Sequence, residues 1–316
     1  LNIYSDRIIE FGFKNYVQKS ICGSIQFAQI IVSIKKNKIM KFLKYALLFA
    51  AATIMFSCSD DDNGNGPQPT DETEGLTMVK TFENQNHKIA IYTESGNLTD
   101  GYNKIYLQLK NNDGSLITNS NFSWMPMMDM GNMQHGAPYS EIQKVSGKQS
   151  LYEGWIVFQM AGPWDLSFEY TVGGSSYEMS NAIEVQQASK RRVTSFVGSD
   201  ENKYIVALVE PADPKVAVND MTAAIFKMGS MHDFPIVNNY KLKIDPRMPG
   251  MGNHGSPNNV DLTQSSDGFY HGKLSLTMTG YWVVNLMLEN QNGEILKGEE
   301  VTESNPQSSI FFEIEF

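Results

Sequence analysis

The chain has 316 residues, a formal net charge of −10 and a sequence pI near 5.0. An acidic balance with no basic block excludes nucleic acid as a natural partner, and the length is a soft prior for two domains. Hydrophobic residues at 41 % and charged ones at 19 % are globular proportions, which excludes a fibrous or wholly disordered chain.

Residues 1–39 do not read as part of a mature fold and are taken as upstream read-through, with a second start at Met40. Residues 40–57 then form a secretory signal. Lys41 and Lys44 precede the apolar run Tyr45–Phe56, which is short for a membrane anchor. Its end, Met55-Phe-Ser-Cys58, resembles a bacterial lipobox, which makes Cys58 the acylated N-terminus and the point of contact with the membrane. Cys22 and Cys58 are the only cysteines, so the mature chain has no disulfide and no thiolate metal site. Residues 58–75 are rich in Asp, Asn, Gly and Pro and read as a disordered acidic linker. The segment Ser59-Asp-Asp-Asp62 resembles the lipoprotein export signal of Bacteroidetes. That implies an outer membrane lipoprotein, surface-exposed; as a plain acidic spacer it leaves the protein periplasm-facing.

From Leu76 onward the pattern is one of short alternating strands. His87–Thr93, Lys104–Leu109, Gly154–Met160 and Trp164–Tyr170 alternate apolar with polar residues, and a second set runs from Lys203 to Phe316. The stretches Tyr152-x-Gly…Met160-x-Gly-x-Trp164 and Tyr270-x-Gly…Met278-x-Gly-x-Trp282 share one ungapped frame. The expected fold is therefore all-β: two tandem immunoglobulin-like β-sandwich domains, over 76–188 and 199–316, after the lipoprotein signal and the linker. Trp164 and Trp282 are expected in the cores, Tyr152 and Tyr270 at turns, His87 on the surface and His271 in a structural role.

Ahead of each shared frame lies a Met/His stretch. Met125-Pro-Met-Met-Asp-Met-Gly-Asn-Met-Gln-His135-Gly-Ala-Pro138 is echoed by Met248-Pro-Gly-Met-Gly-Asn-His254-Gly-Ser-Pro257. Methionine among Gly, Pro and Asn reads as loop, and a loop thioether is a soft ligand. Thioethers with imidazole favour copper, Cu(I) above all. The candidate metal ligands are Met125, Met127, Met128, Met130, Met133 and His135 in repeat 1, and Met248, Met251 and His254 in repeat 2. A further group, Met228, Met231 and His232, is expected to face the Met248–His254 loop, with Met160 and Met278 as a site floor. The same methionines also suit an adaptable protein-contact surface.

These two motifs together resemble the YtkA-like/FixH-like family of envelope β-sandwich domains. The resemblance implies copper binding or delivery in the envelope, with a copper-efflux or oxidase-assembly protein as partner. Phosphate loops, His-Glu-x-x-His and Gly-x-Ser-x-Gly motifs are lacking, so no enzyme is expected. The expected function is copper sequestration or transfer. The rival is a cell-surface adhesion or scaffolding lipoprotein, and a weaker third is sugar binding through exposed Trp124 and Trp155.

Overall fold

The computed structural model describes residues 71–131 and 133–316, so the expected signal, Cys58 and most of the linker lie outside the described residues. Repeat 1 contains β1 (Thr77–Glu83), β2 (His87–Thr93), β3 (Gly101–Asn111), β4 (Phe122–Asp129), β5 (Gln134–Gly136), β6 (Gln143–Lys144), β7 (Leu151–Phe158), β8 (Gly162–Val172) and β9 (Ser175–Val185). They form two antiparallel layers, β1-β2-β3-β7-β6 and β5-β4-β8-β9. Repeat 2 contains β10 (Val193–Val197), β11 (Lys203–Glu210), β12 (Val218–Lys227), β13 (Lys241–Met248), β14 (His254–Gly255), β15 (Val260–Gln264), β16 (Tyr270–Ser275), β17 (Tyr281–Glu289), β18 (Ile295–Lys297) and β19 (Phe311–Glu315). Here β15 pairs with both β16 and β13, so the two layers join at one edge. Among the described residues no helix is long and apolar enough to cross a membrane.

Alternation sets which face is buried. On β8, Trp164, Leu166, Phe168 and Tyr170 point inward, while Asp165 and Glu169 are exposed. Full burial of each such apolar side chain contributes about 1.5–3 kcal/mol. Trp164 and Trp282 are 1 % and 0 % exposed, and each anchors the core of its own repeat. Their indole N–H groups donate to the Met160 and Met278 carbonyls at 3.2 and 3.0 Å. Tyr152 and Tyr270 act as a matched pair of clamps. The Tyr152 hydroxyl donates to Thr118 O and accepts from Ser120 N, and the Tyr270 hydroxyl donates to Val237 O and accepts from Tyr240 N.

The two repeats are not beads on a polar string. Val157, Val193, Ile205, Ala207, Ala224 and Phe226 form a third apolar cluster that draws on both, with Tyr102, Trp155 and Phe269 packed against it. The joining stretch is pinned as well: Gln186 pairs with Thr99, the Glu313 N–H donates to the Arg191 carbonyl, and the Glu313 carboxylate accepts from the Arg191 N–H. The second sheet already begins at Val193, ahead of the expected boundary at 199. At the other end, residues expected in the linker are docked, since Glu72 accepts hydrogen bonds from Gln149 and Ser150.

Three sequence expectations change here. His87 is buried, wedged between Tyr170 and Tyr177 rather than on the surface. Trp124 is buried, with its N–H on Ser140 O, and Trp155 lies half-buried among Tyr102, Phe226 and Phe269. Neither offers a flat exposed ring, which removes the basis for sugar binding.

Candidate metal site

The Met125–Pro138 stretch is not simply a loop. Phe122–Asp129 is a strand, paired with β8 on one side and β5 on the other. Alternation then sorts the methionines. Met125 and Met127 face outward, whereas Met128 is buried at 6 % exposure in the core beneath Gly162. Gly162, at φ 128°, turns the chain where a side chain is disfavoured. Met248 occupies the same place in repeat 2: it is 5 % exposed, with its methyl beneath Gly280. Met128 and Met248, expected as ligands, are therefore core residues.

Strand register fixes how the two stretches correspond. Met128 lies opposite His135, and Met248 opposite His254. Pro126 faces Leu166, two residues after Trp164; Pro246 faces Val284, two residues after Trp282. Pro126 thus matches Pro246, and the two Met-Pro dipeptides are not equivalent. Asp245 and Arg247 stand where repeat 1 has Met125 and Met127, and they form an ion pair at 2.8 Å. The Arg247 guanidinium also covers Gly255, the counterpart of Gly136. Repeat 2 keeps only Met251 and His254 at this end, both exposed.

The Met228–Asp233 segment does not face the Met248–His254 loop as expected. It lies against repeat 1, where the Met231 carbonyl accepts the Gly136 N–H at 2.7 Å. A Cβ on Gly136 would meet that carbonyl at 3.3 Å, so the close approach depends on glycine. His232 is exposed on the same turn and does not line the cleft between the repeats.

This contact creates a cleft of about 270 Å³ between the repeats. From repeat 1 come Met130, Met133, His135, Gln159 and Met160, and from repeat 2 Met228, Met231 and Phe234, with Lys203 at its margin. Met160 thus lines the site, while Met278 packs against the second core instead. Met130 and Met133, at 57 % and 53 % exposure, leave their thioethers accessible.

His135 is held for donation. Its ring packs edge-on against Trp164 at 5.3 Å between centroids. Its Nδ1 lies 3.0 Å from the Gly136 carbonyl, which only accepts, so in the neutral ring Nδ1 carries the proton. Nε2 therefore holds the lone pair, and it is buried with no hydrogen-bond partner among the described residues. Gln159 Oε1 is a second buried polar atom without a partner among the described residues. An orphaned buried polar atom costs about 1–3 kcal/mol, and two such atoms lie beside this one cleft. Sequence reasoning missed Gln159, because a glutamine between strand and turn carries no motif.

The donor set fits a soft cation. Five thioethers and an imidazole nitrogen suit Cu(I), and a carbonyl-type oxygen is a weak additional donor. The Nδ1–H bond to a backbone carbonyl is the outer-shell contact that orients a ligating histidine. Among the described residues no group of three or more His, Cys, Asp or Glu converges as a metal site.

No protein-family model matches the chain. No curated protein matches it either. Among solved structures, a conserved domain protein from Bacillus anthracis is similar over 80 % of this chain and 96 % of its own, at 12 % identity and a TM-score of 0.29. Domains 5-6 of the S-layer protein SbsC are similar over 70 % of this chain and 93 % of theirs, at 11 % identity and a TM-score of 0.26. The Yersinia pseudotuberculosis adhesin InvE is similar over 71 % of this chain at 11 % identity and a TM-score of 0.22; the match spans 57 % of that protein. The chain itself is all-β, and nothing about activity transfers at this level of likeness.

Proposed function

We propose that this chain is an envelope lipoprotein that binds Cu(I) in the cleft between its two repeats, for sequestration or for hand-over to a partner protein. The observation that carries the reading is the buried Nε2 of His135, without a hydrogen-bond partner among the described residues, in a cleft walled by thioethers from both repeats. The resemblance to YtkA-like/FixH-like domains and the expected lipid anchor at Cys58 support an envelope setting. Copper is the cargo, and thioether-rich ligation favours the reduced ion in a carrier over a redox centre.

The test is a Cu(I) titration of Pro69–Phe316, which clusters as one compact unit, against a competing chelator. A single tight equivalent is expected, lost in His135→Ala and in the Met228→Leu/Met231→Leu double variant but kept in His254→Ala. Two equal sites, one per repeat, would contradict the composite cleft. Binding no better than that of a variant with every cleft methionine replaced by leucine would end the copper reading. The exposed thioethers would then be a contact surface, and the protein an adhesion or scaffolding lipoprotein.

A further inference from the structure

Met125 and Met127, both expected as ligands, lie outside the cleft. They stand on the outer face of β4, one 44 % exposed and the other half-buried. Alternation places them about 7 Å apart along the strand. In register beside them on β8 are Ser167 and Asp165. Polar residues or β-branched ones are what an exposed strand face ordinarily carries, and repeat 2 follows that rule with Asp245 and Arg247.

The neighbour of Met127 on its other side is Gly136. Directly opposite residues on paired strands share a face, so the missing side chain leaves a gap beside Met127. That gap is filled by the Met231 carbonyl and the edge of Phe234, both within 3.6 Å of where a Cβ would stand. Met127 therefore borders the segment that supplies Met228 and Met231 to the cleft. The order along the face is Met125, which is exposed, then Met127 and the Met231 side of the cleft, both half-buried. In repeat 2 the same path is shut, because the Arg247 guanidinium lies over Gly255.

We propose that Met125 and Met127 are a loading track: a transient site for a soft monovalent cation that passes it from solvent or a donor to the cleft. This rests on the Cu(I) reading of the cleft. Each move forms one Cu–S bond as another breaks, and the copper stays monovalent throughout. Two neutral thioethers hold an ion weakly enough to release it. Asp165, in register with Met127, adds electrostatic attraction for the cation. The cleft, with more thioethers and the imidazole, is the deeper well.

The test uses Met125→Leu/Met127→Leu, a change on an outer face that leaves the core untouched, with Asp165→Asn as a second variant. Cu(I) affinity is measured by competition, and loading from a chelated Cu(I) donor by stopped flow. Affinity is expected to stay within about twofold while loading slows about tenfold, with a smaller slowing in Asp165→Asn. Methionine-methyl NMR with Ag(I), a redox-inert stand-in, gives a second readout. Met125 and Met127 should broaden at substoichiometric Ag(I), while the cleft methyls shift to a separate bound state. Unchanged loading with intact affinity, or silent Met125 and Met127 methyls, would overturn the track and leave the cleft reading standing. Absence of binding in the unmodified protein would remove the cleft reading itself, and the track with it.

Discussion

His135→Phe separates a ligand from a structural residue. In the metal-free protein the buried Nε2 lacks a partner among the described residues, which costs about 1–3 kcal/mol. The ring also donates one hydrogen bond, Nδ1–H to Gly136 O, contributing about 0.5–1.5 kcal/mol. Phenylalanine keeps the edge-on contact with Trp164, loses the second interaction and removes the first cost. The variant should therefore be about 1 kcal/mol more stable than the parent without metal. With free Ag(I) or Cu(I) at a hundredfold over Kd, the parent gains about 2.7 kcal/mol. For a domain pair of this size that gain is about 5–11 °C in Tm, so the ranking should invert when metal is added. Urea unfolding without metal and thermal melts with and without Ag(I) measure both halves. Metal-free destabilisation by about 2 kcal/mol or more would show that the imidazole is structural. An equal rise in Tm for both proteins would put the metal elsewhere.

Met128→Ala and Met248→Ala should each cost about 2–5 kcal/mol by urea denaturation, while Met130→Ala and Met133→Ala stay within about 0.5 kcal/mol of the parent. Gly136→Val forces its side chain against the Met231 carbonyl and Phe234, so the 228–234 turn should lift. Faster amide exchange at Gly136 and Cu(I) affinity weakened about tenfold, or about 1.4 kcal/mol, are the expected signs. A pH dependence comes from His87, whose pKa is lowered from the ordinary 6.5 by burial between Tyr170 and Tyr177. Asn84 donates to the Tyr170 hydroxyl, so that hydroxyl's own proton is free for His87 Nδ1, which suits the neutral ring. On acidification below 6.5 the unfolded chain takes up the proton first, so stability falls until the depressed folded pKa is passed. His87→Gln should flatten that slope in urea midpoints measured across this range.

Much of the fold was legible because alternation and the Tyr-x-Gly…Met-x-Gly-x-Trp frame report directly on burial. Trp164 and Trp282 sit in the cores for that reason, and Tyr152 and Tyr270 clamp matching turns. The site was legible only in its ingredients. A thioether reads alike in a core and on a loop, and only pairing with β8 shows that Met128 points inward. The Met-Pro dipeptides offered a false alignment, since the strand registers place Pro126 with Pro246 rather than with Pro249. Packing between the repeats leaves no periodic trace at all. Trp155 is outward on its own strand and looks exposed until the second repeat covers it, and Met231 meets Gly136 across a long sequence gap.

The glycine notch beside β4 and β13 is filled in two different ways. In repeat 2 the Arg247 side chain of the same strand covers it. In repeat 1 it receives the turn that follows β12. The second copy has thereby become a wall rather than a second vessel. Cutting the chain near Lys190 would yield two halves, neither of which contains the whole of what the pair encloses.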